Sequence, residues 1–350
     1  MRLLPLLLLV ALTFGPTTSP VFGQLTLEQG NIEAISGDCP YYCRPGVRNR
    51  SQSRGVVIRR ETQFGFDWDT QNSVAGGVQR VNRLEQFTFK FKIPLVNKES
   101  FKALLGYEWD TEKYFFNTPF KNNVESPTLF QLLNERRLKA NKLSAYVSKS
   151  WNEKFYTTAR FRMSLNGDYQ GLINFDNIYR TYSAAAAFGK KVSEDEEWAV
   201  GLTFSSNKAR TIAIPFFVYN KTFNDRWGIQ TALPGQAFIR YNRGRDLKNA
   251  FLLGAQFDSR YYAINTGNSR EQIPGLDQFF LRNNGVRLQL QYEHSLVPWV
   301  WAFAQGGYYL PVATRFNRAD NIDLDLDTNP GGRPFFRFGI FLAPPKELIR

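Results

Sequence analysis

The feature that most constrains this 350-residue chain is a strict alternation of apolar and polar side chains, which recurs in many separate stretches. Residues 87–95 carry an apolar side chain at every second position, and residues 155–165 and 286–292 repeat the pattern with arginines on the polar face. Because successive side chains of a β-strand point to opposite faces, each stretch predicts a strand with one apolar and one polar face. The many long charged side chains favour a membrane barrel, with apolar residues toward lipid and polar residues toward a lumen.

The N-terminus predicts export from the cytoplasm. Arg2 precedes an apolar run over residues 3–12, and small residues lead to Gly23, just before Gln24. This is the pattern of a secretory signal peptide over residues 1–23. The apolar run is too short for a membrane helix, which needs roughly 20 residues. An exported chain of this kind is either a secreted β-protein or an outer-membrane barrel.

Composition narrows the class of partner. The formal net charge is +13 and aromatic residues make up 15% of the chain, with tryptophans near the predicted strand ends, as in the aromatic girdles of membrane barrels. The basic residues are scattered through strands instead of forming a patch or tail, which argues against nucleic acid as a partner. We therefore expect outer-membrane lipids as partners, with a periplasmic or surface protein as a further candidate, and no cofactor.

The alternating stretches predict an all-β, up-and-down antiparallel transmembrane barrel of about 14 strands. The count falls to 12 if Leu233-Pro234-Gly235 is a kink within one long strand and the strand starting near Lys208 is not separate. The predicted strands are residues 54–68, 84–95, 101–116, 139–151, 154–166, 178–191, 197–206, 209–220, 225–233, 236–243, 250–264, 280–294, 299–311 and 333–342.

Most connections between these strands alternate in length. The long ones are residues 69–83, 117–138, 167–177, 265–279 and 312–332, and all fall at the same end of the barrel. Outer-membrane barrels have short periplasmic turns and longer extracellular loops, so both termini are expected in the periplasm of a Gram-negative cell. The predicted organisation is a signal peptide (1–23), a periplasmic N-terminal segment (24–53), the barrel (54–342) and a C-terminal tail (343–350).

Several motifs also carry a family resemblance. Residues 188–192 with 198–201, residues 224–228 with 233–241, and the later stretches 292–294 and 305–308 resemble an uncharacterised family of outer-membrane β-barrel proteins from Bacteroidota. The likeness covers most of residues 55–342. It implies a barrel of unknown function and transfers no catalytic residue.

Two cysteines, Cys39 and Cys43, lie in the N-terminal segment with three residues between them. In an exported protein so close a pair predicts a disulfide that closes a small loop. Free thiols and a metal site are the alternatives, although a metal would need further ligands and His294 is the single histidine. We expect no metal.

The residues that could support enzyme chemistry are few. Ser295 follows His294 directly, and neighbouring residues on a strand point to opposite faces, so the two do not form a nucleophile–base pair. His294 is expected at a periplasmic strand end, and we expect no enzyme activity.

Two loop motifs have a structural and a functional interpretation. Residues 126–137 predict a short helix in an extracellular loop, capped by Ser126, whose apolar stripe covers the barrel mouth, packs on neighbouring loops or binds a partner. The acidic residues 320–329 resemble a calcium loop in composition but lack its central glycine and terminal glutamate, which favours a solvated loop.

The polar strand faces give the strongest indication of function. Ten basic residues are predicted to face the lumen: Arg59, Lys90, Lys92, Lys102, Arg160, Arg162, Arg240, Arg260, Arg287 and Arg337. Five acidic residues accompany them: Glu61, Glu108, Asp110, Asp258 and Glu293. Such charges can pair and close the lumen, or their basic excess can favour anions, as charged rings do in pores.

Three functions fit this pattern. The first is passive passage or binding of small solutes, anionic ones among them. The second is a non-conducting barrel that anchors or assembles a periplasmic or cell-surface complex through residues 24–53. The third, a membrane-embedded enzyme, is disfavoured because a nucleophile–base pair is missing from the sequence pattern.

Overall fold

The computed structural model describes residues 45–70, 77–117, 129–208, 210–244, 247–265, 278–318 and 326–343. The predicted signal peptide and the Cys39–Cys43 pair lie outside these residues, as do Ser126 and most of the acidic loop. None of the helices in the described residues is long and apolar enough to cross a membrane.

Strands dominate the described chain. They are β1 (Val56–Asp69), β2 (Val78–Asn97), β3 (Phe101–Phe116), β4 (Leu138–Ser150), β5 (Phe155–Gly167), β6 (Arg180–Ser193), β7 (Glu196–Asn207), β8 (Thr211–Thr222), β9 (Trp227–Leu233), β10 (Gln236–Arg243), β11 (Asn249–Asn265), β12 (Gln278–Val297), β13 (Val300–Arg318), β14 (Leu326–Pro330) and β15 (Arg333–Leu342). A short helix, α1 (Leu129–Glu135), and a single 3-10 turn (Asn177–Tyr179) accompany them.

The strands close into one antiparallel barrel. Each strand from β1 to β13 pairs with its neighbour in sequence, and β14 and β15 both lie between β13 and β1. β14 and β15 run in the same direction on either side of Gly331 and Gly332. Together they occupy one strand position of the barrel, which therefore has fourteen strands. Closure gives each strand a neighbour on both sides over at least part of its length, which limits the strand edges open to other chains.

The predicted barrel and its fourteen strands are therefore confirmed, and the twelve-strand alternative is wrong. Leu233-Pro234-Gly235 is a tight turn between β9 and β10, in which the Gly235 amide donates to the Ala232 carbonyl at 2.8 Å. The prediction was also wrong at the described parts of residues 312–332, which were expected to form a long loop. There β13 continues to Arg318 and pairs with β14, with Thr314 opposite Thr328, because the alternating pattern extends into this stretch.

We name the two ends of the barrel by their connections. The turn end holds the short connections, such as residues 151–154 and 298–299, and the loop end holds the long ones. Between them the alternation is regular: Arg287, Gln289 and Gln291 of β12 are buried inside, while Leu288 and Leu290 are exposed outside.

The outer surface is an apolar band that surrounds the ring. Its exposed side chains include Ile93, Leu143, Phe161, Leu202, Ile239, Leu290, Leu310 and Phe338. Trp151, Trp227 and Trp299 are exposed at the turn end, as expected for a girdle. Trp68 and Trp301 are buried, so these two tryptophans do not belong to a girdle.

One part of the wall is incomplete. The β9–β10 hairpin is much shorter than its neighbours, so residues 211–216 of β8 and 258–262 of β11 pair with no residue of the hairpin. Pro215 lies in this stretch, which is an edge toward the short hairpin, and edges are the positions at which sheets tolerate proline.

Across the ring, β11 contacts β5 near the loop end, and we call this contact the seam. Ala263 pairs with Gly167 in parallel orientation, and the Asp168 amide donates to the Ala263 carbonyl. A Cβ at Gly167 would overlap the Tyr179 ring and the Ala263 carbonyl, so a glycine is required for so close an approach. The seam narrows the interior at the loop end.

Candidate site in the barrel interior

An aromatic plug fills the interior at the loop end. Trp68 lies at its centre, with its ring 5.3 Å from Phe130, 5.4 Å from Tyr114 and 5.7 Å from Phe316 between centroids. Side chains of β1–β4, β11–β13 and α1 contribute to this cluster. We call this cluster the plug.

The helix α1 supplies the top of the plug. Phe130, Leu132 and Leu133 are fully buried against the strands, so the predicted apolar stripe packs into the barrel mouth. The helix is confirmed with narrower bounds than predicted. The Lys113 ammonium donates to the carbonyls of Asn134 and Arg136, which satisfies carbonyls at the C-terminal end of the helix.

The strand residues of the plug face the interior because the alternation of inward and outward positions shifts by one residue in β1 and β2. The ladder between β2 and β3 has a bulge between Val81 and Arg83, and as a result Val81 and Leu84 are both buried. At the same level the buried positions of β1 shift from Gln63 to Phe66 and Trp68. Sequence alternation alone would place those two rings on the outside.

Below the plug, charged side chains cross-link the walls. The Arg287 guanidinium lies 3.2 Å from the Glu61 carboxylate and 2.8 Å from Asp258, and Arg337 donates to Glu61 at 2.7 Å. Arg260 contacts Asp258 at 3.0 Å. This network joins β1, β11, β12 and β15, so that each of these five buried charges has a partner of opposite charge.

A second group of charges lies on β2, β3 and β4. The Lys142 ammonium is 2.6 Å from Glu108 and 2.6 Å from Asp110, and Lys90 is 3.3 Å from Glu108. Across the lumen, Arg260 also pairs with Glu112 of β3, which connects the two groups.

Of the cavities lined by the described residues, three lie in the interior among these charges. One of about 100 Å³ is mainly apolar, with Ala187, Ala199 and Phe216 in its lining. The other two, of about 80 Å³ and about 60 Å³, share Arg59, Gln256 and Arg337, and we call this pair the chamber.

The chamber is strongly basic. The lining of the 80 Å³ cavity includes seven arginines or lysines and two aspartates. The lining of the 60 Å³ cavity includes five arginines or lysines and no carboxylate from the described residues. Such a surface suits an anion that is small enough to enter.

Residues 45–55 cross the turn end, and we call them the strap. The Arg48 amide donates to the Glu194 carbonyl at 2.9 Å, and Thr222 and Asn242 donate to the carbonyls of Arg48 and Asn49. Arg48 also pairs with Asp195. These bonds attach the strap to β8, β10 and the β6–β7 turn.

Near the end of the strap, Arg54 connects it to the charge network. Arg54 pairs with Glu293 and stacks 4.7 Å from the centroid of Phe341. A relay of amides continues inward, because Gln291 donates to Glu293, and Gln305 donates to Gln291. Arg337 donates to Gln305 at 2.9 Å.

The structure places the ten predicted basic side chains on inward-facing strand positions. Eight line the chamber: Arg59, Lys90, Lys92, Arg160, Arg162, Arg260, Arg287 and Arg337. Lys102 lines a small cavity beside the strap, and Arg240 is buried with a bond to Thr222.

Sequence reasoning missed other charged residues of the interior. Lys142 and Glu112 belong to the charge network, Arg333 stacks between Phe66 and Tyr309 at the base of the plug, and Arg54 comes from the strap. Strand alternation could have identified Lys142, which precedes the exposed Leu143. It could not identify Arg54, because the predicted first strand begins at that residue and alternation places it on the outward face with Ile58, whereas in the structure it precedes β1.

The side chains of His294 and Ser295 form hydrogen bonds with different partners and not with each other. The His294 ring bonds Asn249 at 2.8 Å, and the Ser295 hydroxyl donates to the Val297 carbonyl at 3.0 Å. Their different partners match the opposite faces expected from the sequence.

The seam is held by a charged residue in the loop after β5. Asp168 pairs with Arg136 and accepts from the Asn265 amide at 3.2 Å, and Arg136 donates to the Asn265 carbonyl at 2.7 Å. Burial raises the pKa of Asp168 above its ordinary value, although Arg136 opposes that shift. The seam thus contains a carboxylate whose charge is costly to bury.

These features define a closed fourteen-stranded antiparallel β-barrel with a filled interior. None of the protein-family models matches the chain, and no curated protein matches it. Among solved structures, it is similar to an outer membrane channel from Pseudomonas putida F1, with 9% identity and a TM-score of 0.38 over 86% of this chain and 99% of that one.

Two further structures give the same degree of similarity. A Pseudomonas aeruginosa FadL homologue has 9% identity and a TM-score of 0.38, over 82% of this chain and 89% of that one. The P. putida toluene transporter TodX has 7% identity and a TM-score of 0.38, over 84% and 91%. At these values the similarities carry no conclusion about function, and the fold class follows from the closed ladder of this chain.

Proposed function

We propose that this protein is an outer-membrane β-barrel that binds small anionic solutes in its lumen and passes them across the membrane, with both termini in the periplasm. The observation that carries the proposal is the basic chamber beneath the plug, whose lining has many more arginines and lysines than carboxylates. Rings of basic side chains give pores a preference for anions.

Two further features support this role. The apolar outer band is the surface that a barrel presents to lipid, and the inward charges would be costly to bury in a soluble sandwich core. The short connections of the turn end are typical of periplasmic turns.

The described residues cover both ends of the chamber, since the plug fills the loop end and the strap crosses the turn end. Passage along the barrel axis therefore requires one of them to move. The strap is held chiefly by hydrogen bonds and two ion pairs, whereas the plug is held by buried aromatic rings. We therefore assign the opening movement to the strap.

The filled interior also favours a second function. A barrel closed at both ends could serve as a non-conducting anchor for a periplasmic or surface protein. In that case residues 24–53, which include most of the strap, would be the docking element, and the charge network would only stabilise the fold.

Conductance in planar lipid bilayers tests the first function against the second. The purified barrel should migrate faster on gels when unheated than when boiled, and should conduct with a reversal potential that indicates anion preference in a KCl gradient. Reversing the charge of Arg160 and Arg162 together to glutamate should reduce or invert this preference, because both line the chamber.

The matched control reverses two arginines outside the chamber, Arg226 and Arg243, which are exposed. This control should keep the anion preference of the native barrel. An intact, heat-modifiable barrel that never conducts would contradict passage of anions and support the anchoring role. Recovery of the native protein as a soluble periplasmic species would reject both.

The lipid-facing assignment has its own test at Phe161, which lies between Arg160 and Arg162 and is 54% exposed. Replacing Phe161 with arginine should lower the free energy of unfolding by about 2–4 kcal/mol if the residue lies near the bilayer midplane. Phe161→Leu is the control and should fold like the native protein. Equal folding of the two variants into lipid vesicles would contradict a lipid-facing position.

A further inference from the structure

The mainly apolar cavity of about 100 Å³ is an exception among the polar inward faces of the barrel, and we call it the alanine pocket. Its lining includes Ala185 and Ala187 of β6, Ala199 of β7, and Phe216 and Val218 of β8. The same five side chains pack together as one apolar cluster. On β12, by contrast, the inward positions below the plug carry arginine and glutamine.

Small side chains leave the space of the alanine pocket. Three of the five clustered residues are alanines, whose single methyl group projects little into the lumen. A Cβ at Gly201 of β7 would overlap the Phe216 ring, so this ring occupies the place of the side chain that the glycine lacks. The wall there consists of methyl groups and one aromatic ring, and such a surface favours contact with an apolar group over contact with water.

The alanine pocket adjoins the basic chamber. Arg160 lines both the pocket and the 80 Å³ cavity, and Gln236 lines both the pocket and the 60 Å³ cavity. A negative group beside Arg160 therefore lies where the charged and the apolar parts of the lumen meet. A molecule with both kinds of group can use the two parts together.

The charges of the pocket favour a negative group over a positive one. Two arginines, Arg50 of the strap and Arg160, contribute to the lining, against the single carboxylate of Glu197 from the described residues. That carboxylate already accepts hydrogen bonds from Asn220 at 2.6 Å and from the Tyr156 hydroxyl at 3.1 Å. The wall itself thus stabilises the charge of Glu197.

We propose that the alanine pocket and the adjoining chamber together bind small monocarboxylates with an apolar chain, with the carboxylate at Arg160 and the chain against Ala187, Ala199 and Phe216. This inference rests on the proposed function and names the substrate class of that site. Charge alone attracts any small anion, whereas the apolar wall distinguishes among anions by their chains. A volume of about 100 Å³ limits the chain to a few carbon atoms.

The test compares monocarboxylates that have the same charge and differ in the chain. Isothermal titration of the folded barrel in neutral detergent at low ionic strength should show affinity rising from sodium acetate to propionate to butyrate. The expected gain is about fourfold per methylene, the factor for burying one CH₂ group. Sodium glycolate, which is similar in size to propionate but ends in a hydroxyl, should bind no more tightly than acetate.

Ala187→Leu and Ala199→Leu, made separately, fill the pocket and leave both arginines in place. In each variant that folds, as judged by heat-modifiable migration on gels, butyrate should bind no more tightly than acetate. Ala159→Leu is the matched control, because Ala159 is exposed on the outer face between Thr158 and Arg160, and it should keep the dependence on chain length. Arg160→Gln should weaken all four acids by the same factor.

Equal affinity of the native barrel for acetate and butyrate would overturn the inference, and so would a gain with chain length that persists in a folded leucine variant. Neither result depends on conduction. If an anion-selective current were still observed in bilayers, the proposed function would stand while recognition of the apolar chain failed.

Discussion

The plug and the chamber fill the same barrel with different chemistry. The plug is built from aromatic and aliphatic side chains that gain their stability from excluding water, and its rings pack against one another. The chamber is built from long charged and amide side chains that need partners, and it retains cavities. The difference shows that the lumen is tightly packed at the loop end and retains space for small molecules below it.

Because of this contrast, we expect the plug and the chamber to differ in mobility. Opening the plug would expose a large aromatic surface to water, whereas charged and amide groups in the chamber can exchange protein partners for water or a solute. A solute that enters from the turn end would therefore meet groups that can rearrange before it meets the rigid plug.

The largest expected effect comes from removing the centre of the plug. Trp68→Ala should lower the free energy of unfolding by about 3–5 kcal/mol, because the cavity it leaves is surrounded by packed rings. Urea unfolding in lipid vesicles, followed by gel mobility, measures the loss. Phe338→Ala on the lipid-facing side is the control and should cost much less, since lipid chains refill the space. A similar loss in both variants would remove the distinction between plug and outer band.

A smaller effect is expected in the chamber, and it should be recoverable. Glu61→Gln leaves Arg337 without its carboxylate partner and should cost about 3 kcal/mol, since a buried charge loses its counter-charge. Adding Arg337→Gln should restore much of this stability, because replacing both members of a buried pair is often nearly neutral. The double variant is compared with each single variant by the same unfolding assay. Additive losses instead of recovery would show that the chamber is packed as rigidly as the plug.

The two regions also differ in how far sequence predicts them. Strand number and the inward position of residues such as Arg287 follow from local alternation and turn signals, and both were predictable. The plug was not, because the bulge beside Val81 and the shift at Phe66 reverse the faces of the residues that follow. The role of Arg54 depends on contacts with residues more than 200 positions away, which alternation does not encode.

The smallest expected effect concerns the seam, which lies beside the plug and yet depends on a charge. Because burial raises the pKa of Asp168, the folded state binds the proton of this group more tightly than the unfolded chain does. The contribution of Asp168 to stability is therefore greatest below the ordinary aspartate pKa of about 3.9, and it falls as the pH rises through the higher folded value. Asp168→Asn keeps an acceptor for the Asn265 amide but has no proton to titrate.

Unfolding of the native protein and of Asp168→Asn, measured at several pH values between about 3.5 and 7, should therefore show a difference that changes with pH. The native protein should lose stability relative to the variant as the pH rises, by under about 1 kcal/mol, the scale of one hydrogen bond. Tyr179→Phe, which removes a weaker hydroxyl contact to the same carboxylate at 3.4 Å, should keep the sign of the pH dependence. If the native protein instead gains stability with rising pH, the ion pair with Arg136 dominates the seam, and the seam would then resemble the chamber in chemistry despite its position beside the plug.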